Sequence, residues 1–277
     1  MPPFVLQRLC KQNLRVIRRR HPHVSQNQSS SPIHLAAFGV HTLKQAGQQV
    51  PLAHKLDSHS SYVCCVSETR IQDASTLVEL TAPSLSIRFR LRTYSDPQAT
   101  AVGCAGVGIV ASRRAEVSLL DWIPVDSRLC AVRPATSVKR SHKREVDRCL
   151  LVVSAYAPTD CSSDAVQDRF YDALNALLLR AKSLDIVVVV GDLNAQVGRL
   201  SVSQTHLGGR YGLDSARTDN GERLLQLCAD RRLFLGCTYF LNSRSRLATW
   251  CLPMACRPRT QIDHIAISYR WGGSITD

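Results

Sequence analysis

The chain of 277 residues has no uninterrupted apolar run near the ~20 residues that a membrane helix needs. That absence excludes a simple helical membrane span. It has no CxxC pair: among eleven cysteines the closest spacings are Cys64–Cys65 and Cys251/Cys256. An odd count without paired spacing argues against a disulfide scaffold or a zinc ribbon. Reduced, mostly buried thiols and a cytosolic or nuclear location are expected. There is also no acid before Asp57, and no apolar stretch near the N-terminus with the length of a secretory signal. No internal repeat is visible, which excludes a solenoid.

What is present is positive charge. Lys plus Arg number 35 against 22 acids, a net charge of +13. Residues 1–56 carry eight Lys or Arg and no acid, so they hold most of the excess. Such a balance raises affinity and encounter rate for polyanions such as nucleic acid, without identifying the partner. The 1–31 segment reads as a basic leader, disordered at its Ser25–Ser31 end. Val5, Leu6, Leu9, Leu14, Val16 and Ile17 in it are compatible with a basic amphipathic helix. An Arg-rich, acid-free start is shared by mitochondrial targeting segments and nucleic-acid arms, so mitochondrial, nuclear and cytoplasmic locations all stay open.

At 44% hydrophobic residues, the remaining 32–277 can bury a substantial core. Ile33–Val40, Tyr62–Val66, Ile87–Leu91, Ile109–Ala111, Val117–Trp122, Arg128–Arg133, Cys149–Tyr156 and Ile186–Gly191 read as strands. Leu233–Gly236, Ala248–Trp250 and Ile262–Ser268 close the set. Leu43–Leu56, Ala165–Lys182 and a segment capped by Asp219, with Glu222 three residues on, read as helices. Lys139–Arg148 reads as the basic tip of a hairpin. Mixed strands and helices give an α/β sandwich.

The stretch Asp185–Gln196, DIVVVVGDLNAQ, organises the rest. A β-branched run ending in Gly reads as a strand buried on both faces. Asp192 and Asn194 follow, two residues apart. An extended backbone puts them on one face at the strand's carboxyl end, where α/β sheets place ligands; the other reading is an Asp-x-Asn turn. Further polar residues mark other strand ends: Glu68 after YVCCV, Tyr156 after LLVVSA, Thr249 in LATW, and Asp263-His264 in QIDHI.

In this order CCVSETRI, GCAGVGIV, SAYAPT, VVVVGDLNAQVG, RTDNGERLL, LATW and QIDHI resemble the endonuclease/exonuclease/phosphatase superfamily. The superfamily includes abasic-site endonucleases and DNase I-like enzymes. More narrowly the chain resembles endonuclease domains of non-LTR (LINE-type) retrotransposons and the craniofacial development protein 2-like sequences derived from them. The resemblance runs from about Ile33 onward. It implies a four-layer α/β sandwich (DNase I-like) with the site at one rim, and Mg²⁺-dependent (alternatively Mn²⁺-dependent) cleavage of DNA phosphodiesters. By the same resemblance, Glu68 would ligate the metal and Tyr156 would contact the scissile phosphate. Asp192 would position or deprotonate the attacking water. Asn194 would hold the phosphate and Asp192, and Asp263 would orient a catalytic histidine.

Two departures from the family pattern bear on activity. Gly39 occupies the place of a family Asn, and no Ser-Asp-His segment follows the last strand by Asp277. A sandwich without its closing strand, an exposed sheet edge and weak or absent activity are therefore expected. His264 adjoins Asp263, but neighbours on a strand face opposite ways, so it is expected to be a packed or solvent-facing histidine and not a substitute base. Competing functions are a non-catalytic nucleic-acid-binding remnant and, ranked last, a phosphatase acting on small phosphates or phosphoinositides.

Overall fold

A computed structural model of the chain describes residues 11–14, 33–40, 42–71, 76–82, 85, 88–94, 106–136, 148–243, 247–250 and 260–276. Two mixed sheets stack face to face. The first is built from β1 (Lys11–Leu14), β2 (Ile33–Gly39), β3 (Val63–Ser67), β4 (Thr76–Leu80), β5 (Phe89–Tyr94), β6 (Val107–Ser112) and β13 (Ile275–Thr276), in the order β13-β1-β2-β3-β6-β5-β4. The second is built from β7 (Leu119–Asp126), β8 (Leu129–Thr136), β9 (Arg148–Tyr156), β10 (Ile186–Asp192), β11 (Leu233–Leu235) and β12 (Asp263–Ser268), in the order β11-β12-β10-β9-β8-β7. Helix α1 (Ala46–Ser58) packs Leu52, Ala53 and Leu56 into the core of the first sheet. Helices α3 (Asp164–Leu179) and α4 (Asp219–Arg231) cover the outer face of the second; α2 (Arg113–Val117) is a short turn before β7. These are the four layers expected.

Alternation along β10 shows how the layers are specified. Ile186, Val188 and Val190 enter the core between the sheets, while Val189 joins the core under α3 and α4. β9 does the same, with Leu150 and Val152 inward and Leu151 and Val153 outward. Because both faces are covered, the sequence shows near-continuous apolar runs instead of alternation with polar residues. β2 and β3 run parallel, as do β9 and β10. Parallel neighbours finish at the same end, so four chain segments deliver their next residues to rims of the sandwich.

Several boundaries differ from the sequence reading. Thr218, not Asp219, caps α4: its Oγ1 accepts from Gly221 N at 3.3 Å, while Glu222 pairs with Arg217. Arg113–Val117 is helical, so the strand expected from Val117 starts at Leu119. β4 was not foreseen. Lys11–Leu14, read as part of a helical leader, pairs antiparallel with Ile33–Ala36 of β2, and β13 pairs with β1 in turn. The side of β2 away from β3 is thus covered, since an extended segment satisfies its free N–H and C=O groups. The rest of the leader, residues 139–147 of the basic hairpin tip, and Cys251/Cys256 lie outside the described residues. Cys64, Cys65, Cys130, Cys149, Cys228 and Cys237 are buried, as expected of most of the set, and Cys161 is exposed.

Candidate active site

β10 closes on Gly191 (φ 152°), where a Cβ would collide with the Ala155 carbonyl of β9. Only glycine tolerates both that backbone conformation and that approach. The contact brings β9 and β10 to their ends side by side. In the parallel register Asp192 pairs with Tyr156, and in the antiparallel register with β12 Asp192 pairs with Asp263. Tyr156, Asp192 and Asp263 therefore form one row across three adjacent strands. The row continues the inward positions Val152, Val190 and Ile265, so it projects from the inner face of the second sheet at its rim.

Glu68 belongs to the other sheet, in the turn after β3. Glu68 (φ 61°) and Arg70 (φ 52°) both hold left-handed backbone around the buried Thr69. Thr69 N donates to Gly106 O at 3.1 Å, and Thr69 O accepts from Leu43 N at 2.9 Å. Side-chain-bearing residues in that region carry strain that surrounding bonds must hold. The turn places Glu68 where its charge acts on Asp192. Burial pushes the Asp192 carboxyl up to about 6; the Asn194 N–H opposes the shift and Glu68 adds to it. Asp263, 4% exposed, is raised too, by burial first and by Asp192 second. Among the described residues neither Asp192 nor Asp263 forms a salt bridge with Lys or Arg. The rim thus gathers acidic groups, and the positive charge of the buried His264 behind it partly offsets the rise at Asp192 and Asp263.

Asn194 departs from the extended reading. It is left-handed (φ 46°); its N–H donates to Asp192 Oδ1 at 3.0 Å and its Nδ2 to Ala157 O at 2.8 Å. This is the Asp-x-Asn turn, and it stitches the loop after β9 to the loop after β10. His264 pairs with Gly191 in the register and faces away from the row. It has no exposed surface; Nε2 lies 2.7 Å from Ala195 O and Nδ1 3.2 Å from Cys237 Sγ. The expectation of a packed histidine holds.

Thr249 and Arg128, which their own local sequence does not mark as site residues, brace the row from behind. Thr249 Oγ1 accepts from Ile262 N (3.1 Å) and Asp263 N (3.2 Å), so LATW seats the main chain of Asp263. Arg128, in the turn just before β8, stacks its Cζ 5.2 Å from the centre of the Tyr156 ring, and an Nη donates to Tyr156 O at 3.3 Å. Cation–π contact and a main-chain bond together restrict the ring. The antiparallel β8–β9 pairing, the hairpin expected around the basic tip, brings these two together, with Tyr156 N donating to Arg128 O at 2.9 Å.

Two stacked mixed sheets, helices on both outer faces and polar residues gathered at one rim make this the DNase I-like fold of endonuclease/exonuclease/phosphatase proteins. Among solved structures, the catalytic domain of Xenopus laevis APE2 superposes with a TM-score of 0.52 at 14% identity, covering 86% of this chain and 83% of that one. The AP endonuclease LMAP from Leishmania major does so with a TM-score of 0.50 at 12% identity, covering 86% and 79%. These show the shared fold. In sequence, the chain is 36% identical over 126 residues to craniofacial development protein 2 of Bos taurus, spanning 46% of this chain but only 21% of that protein. No family model matches the chain.

Proposed function

We propose that this chain is a divalent-metal-dependent phosphodiesterase acting on DNA, of retroelement origin and of low activity. One observation carries the reading: Tyr156, Asp192 and Asp263 share a row at the inner rim, within reach of the charge of Glu68 on the opposite sheet. Asp192 is then the acceptor for the proton of an attacking water, held by the Asn194 N–H. Tyr156, braced by Arg128, presents its hydroxyl to a phosphate oxygen. Asp263, seated by Thr249, supports Asp192 from the next strand.

The donor chemistry fits Mg²⁺. Carboxylates raised by burial and by neighbouring acids are relieved by a divalent ion. Among the described residues no three His, Cys, Asp or Glu side chains cluster in a metal cage. Mg²⁺ keeps several waters and needs only one or two carboxylates, so Glu68 with Asp192 nearby is a sufficient holding set. When bound, the ion supplies charge neutralisation at the phosphate.

Low activity follows from particular residues. Gly39 offers no side chain where the resembled family has Asn, Asn194 Nδ2 is committed to Ala157, and both nitrogens of His264 are engaged away from the row. This also favours a second reading, a non-catalytic nucleic-acid-binding protein whose +13 charge provides the attraction. Nicking of supercoiled plasmid in Mg²⁺, with Asp192→Ala as control, separates the two. Slow nicking lost on substitution supports the first. Salt-sensitive DNA binding that survives EDTA and Asp192→Ala, without nicking, establishes the second.

A further inference from the structure

Asn220, the second residue of α4, has no exposed surface. Its side-chain Nδ2 donates to two main-chain carbonyls, Pro158 O at 2.8 Å and Asn194 O at 3.3 Å. Pro158 lies in the loop leaving β9, two residues after Tyr156. Asn194 lies in the loop leaving β10, two residues after Asp192. One amide group thus grips both strand-end loops.

Its own main chain is anchored at both ends: N donates to Asp160 Oδ1 at 3.1 Å and O accepts from the Tyr171 hydroxyl at 3.0 Å. The flanking residues press the helix start onto the same loop. Thr218 Oγ1 accepts from Gln196 N at 3.2 Å, Thr218 N donates to Gln196 O at 3.1 Å, and a Cβ on Gly221 would strike the Gln196 carbonyl. By contrast, Asn220 Oδ1 is buried with no donor. A buried acceptor without a partner is unfavourable, and an apolar side chain of the same size would avoid it. Packing alone does not account for an amide here; its two donors do.

We propose that Asn220 is a positioning residue. It fixes the peptide of Asn194, whose N–H bonds Asp192 Oδ1, and it holds the loop behind Tyr156 in the same grip, so that the ends of β9 and β10 act as one unit. Its kinetic consequence rests on the phosphodiesterase reading above; its structural content does not.

Amide hydrogen exchange and nicking kinetics on the full chain test this in wild type, Asn220→Asp and Tyr171→Phe. Asn220→Asp turns donors into acceptors facing two carbonyl oxygens. In that variant, exchange in 159–160 and 193–196 is expected to rise at least tenfold, with α3 unchanged. In nicking, kcat is expected to fall at least tenfold with KM within twofold. Tyr171→Phe removes an anchor of the helix but keeps both carbonyl bonds, so loop exchange and kcat stay within twofold of wild type. Should Asn220→Asp not fold, Asn220→Ser is judged by the same criteria. Unchanged loop exchange in a folded Asn220 variant overturns the proposal, as does equal acceleration in Tyr171→Phe, which reduces Asn220 to helix docking. A wild type that never nicks DNA defeats the phosphodiesterase reading, and the exchange data still decide the positioning role.

Discussion

Asp192 and Asp263 stand opposite each other across the antiparallel β10–β12 pair, and Asp192 adds to the burial that raises the proton affinity of Asp263. Like charges directly opposed on neighbouring strands destabilise a sheet. The rim therefore holds an electrostatic load that bears on stability as well as on chemistry.

The load has a sign in pH. Asp192 moves from 3.8 to about 6. Between those values the folded chain keeps a proton that the unfolded chain has released. Stability thus falls as pH rises from about 4 to about 6, and the loss is complete above that. Two units correspond to at most about 3 kcal/mol, less where solvent screens the rim. Asp192→Asn is expected to raise unfolding free energy by about 1–3 kcal/mol at pH 7.5 and to change little at pH 4. Urea denaturation in EDTA at the two pH values checks it; an equal effect at both contradicts the burial-driven shift.

A divalent cation should remove the same load. Millimolar Mg²⁺ is expected to raise the wild-type Tm, because a ligand of the native state stabilises by mass action. Glu68→Gln should abolish most of that increment while leaving the metal-free Tm near wild type. A Tm shift that Glu68→Gln leaves intact would place the ion elsewhere.

His264 should behave as a core residue. His264→Leu strips Ala195 O of its partner and is expected to cost about 1–3 kcal/mol in stability. Nicking per folded molecule should stay within a few-fold, whereas loss of a general base costs about 10²–10⁴-fold. A loss of that size at full folding would return His264 to the chemistry.

Removal of residues 1–31 uncovers β2. The expected outcome is a lower urea midpoint together with self-association through the bared edge. Sedimentation velocity across a concentration series reads the second effect. A monomer of unchanged midpoint would mean that the β1 pairing contributes nothing.

Much of this arrangement was legible in the chain. The Val run gave β10, and alternation correctly turned His264 away from Asp263. Strand-end positions for Tyr156, Asp192 and Asp263 were readable from local pattern. Their alignment in one row was not, because register is set by pairing between segments dozens of residues apart. The Asn194 turn was one of two open readings; the choice depends on a left-handed backbone that Ala157 and Asn220 hold from outside. The β8–β9 hairpin was readable, but nothing local marked Arg128 as the brace of Tyr156. β1 escaped because its residues also suit a helix, and the vacant side of β2 is a property of the sheet, not of the segment.

The catalytic-looking groups sit in turns and at strand tips, while cohesion comes from the apolar layers behind them. Changes at the rim therefore need not unravel the scaffold. Removing one of the opposed carboxylates relieves repulsion and leaves the layers behind it intact, so the positively charged body can persist as a folded unit while its rim varies.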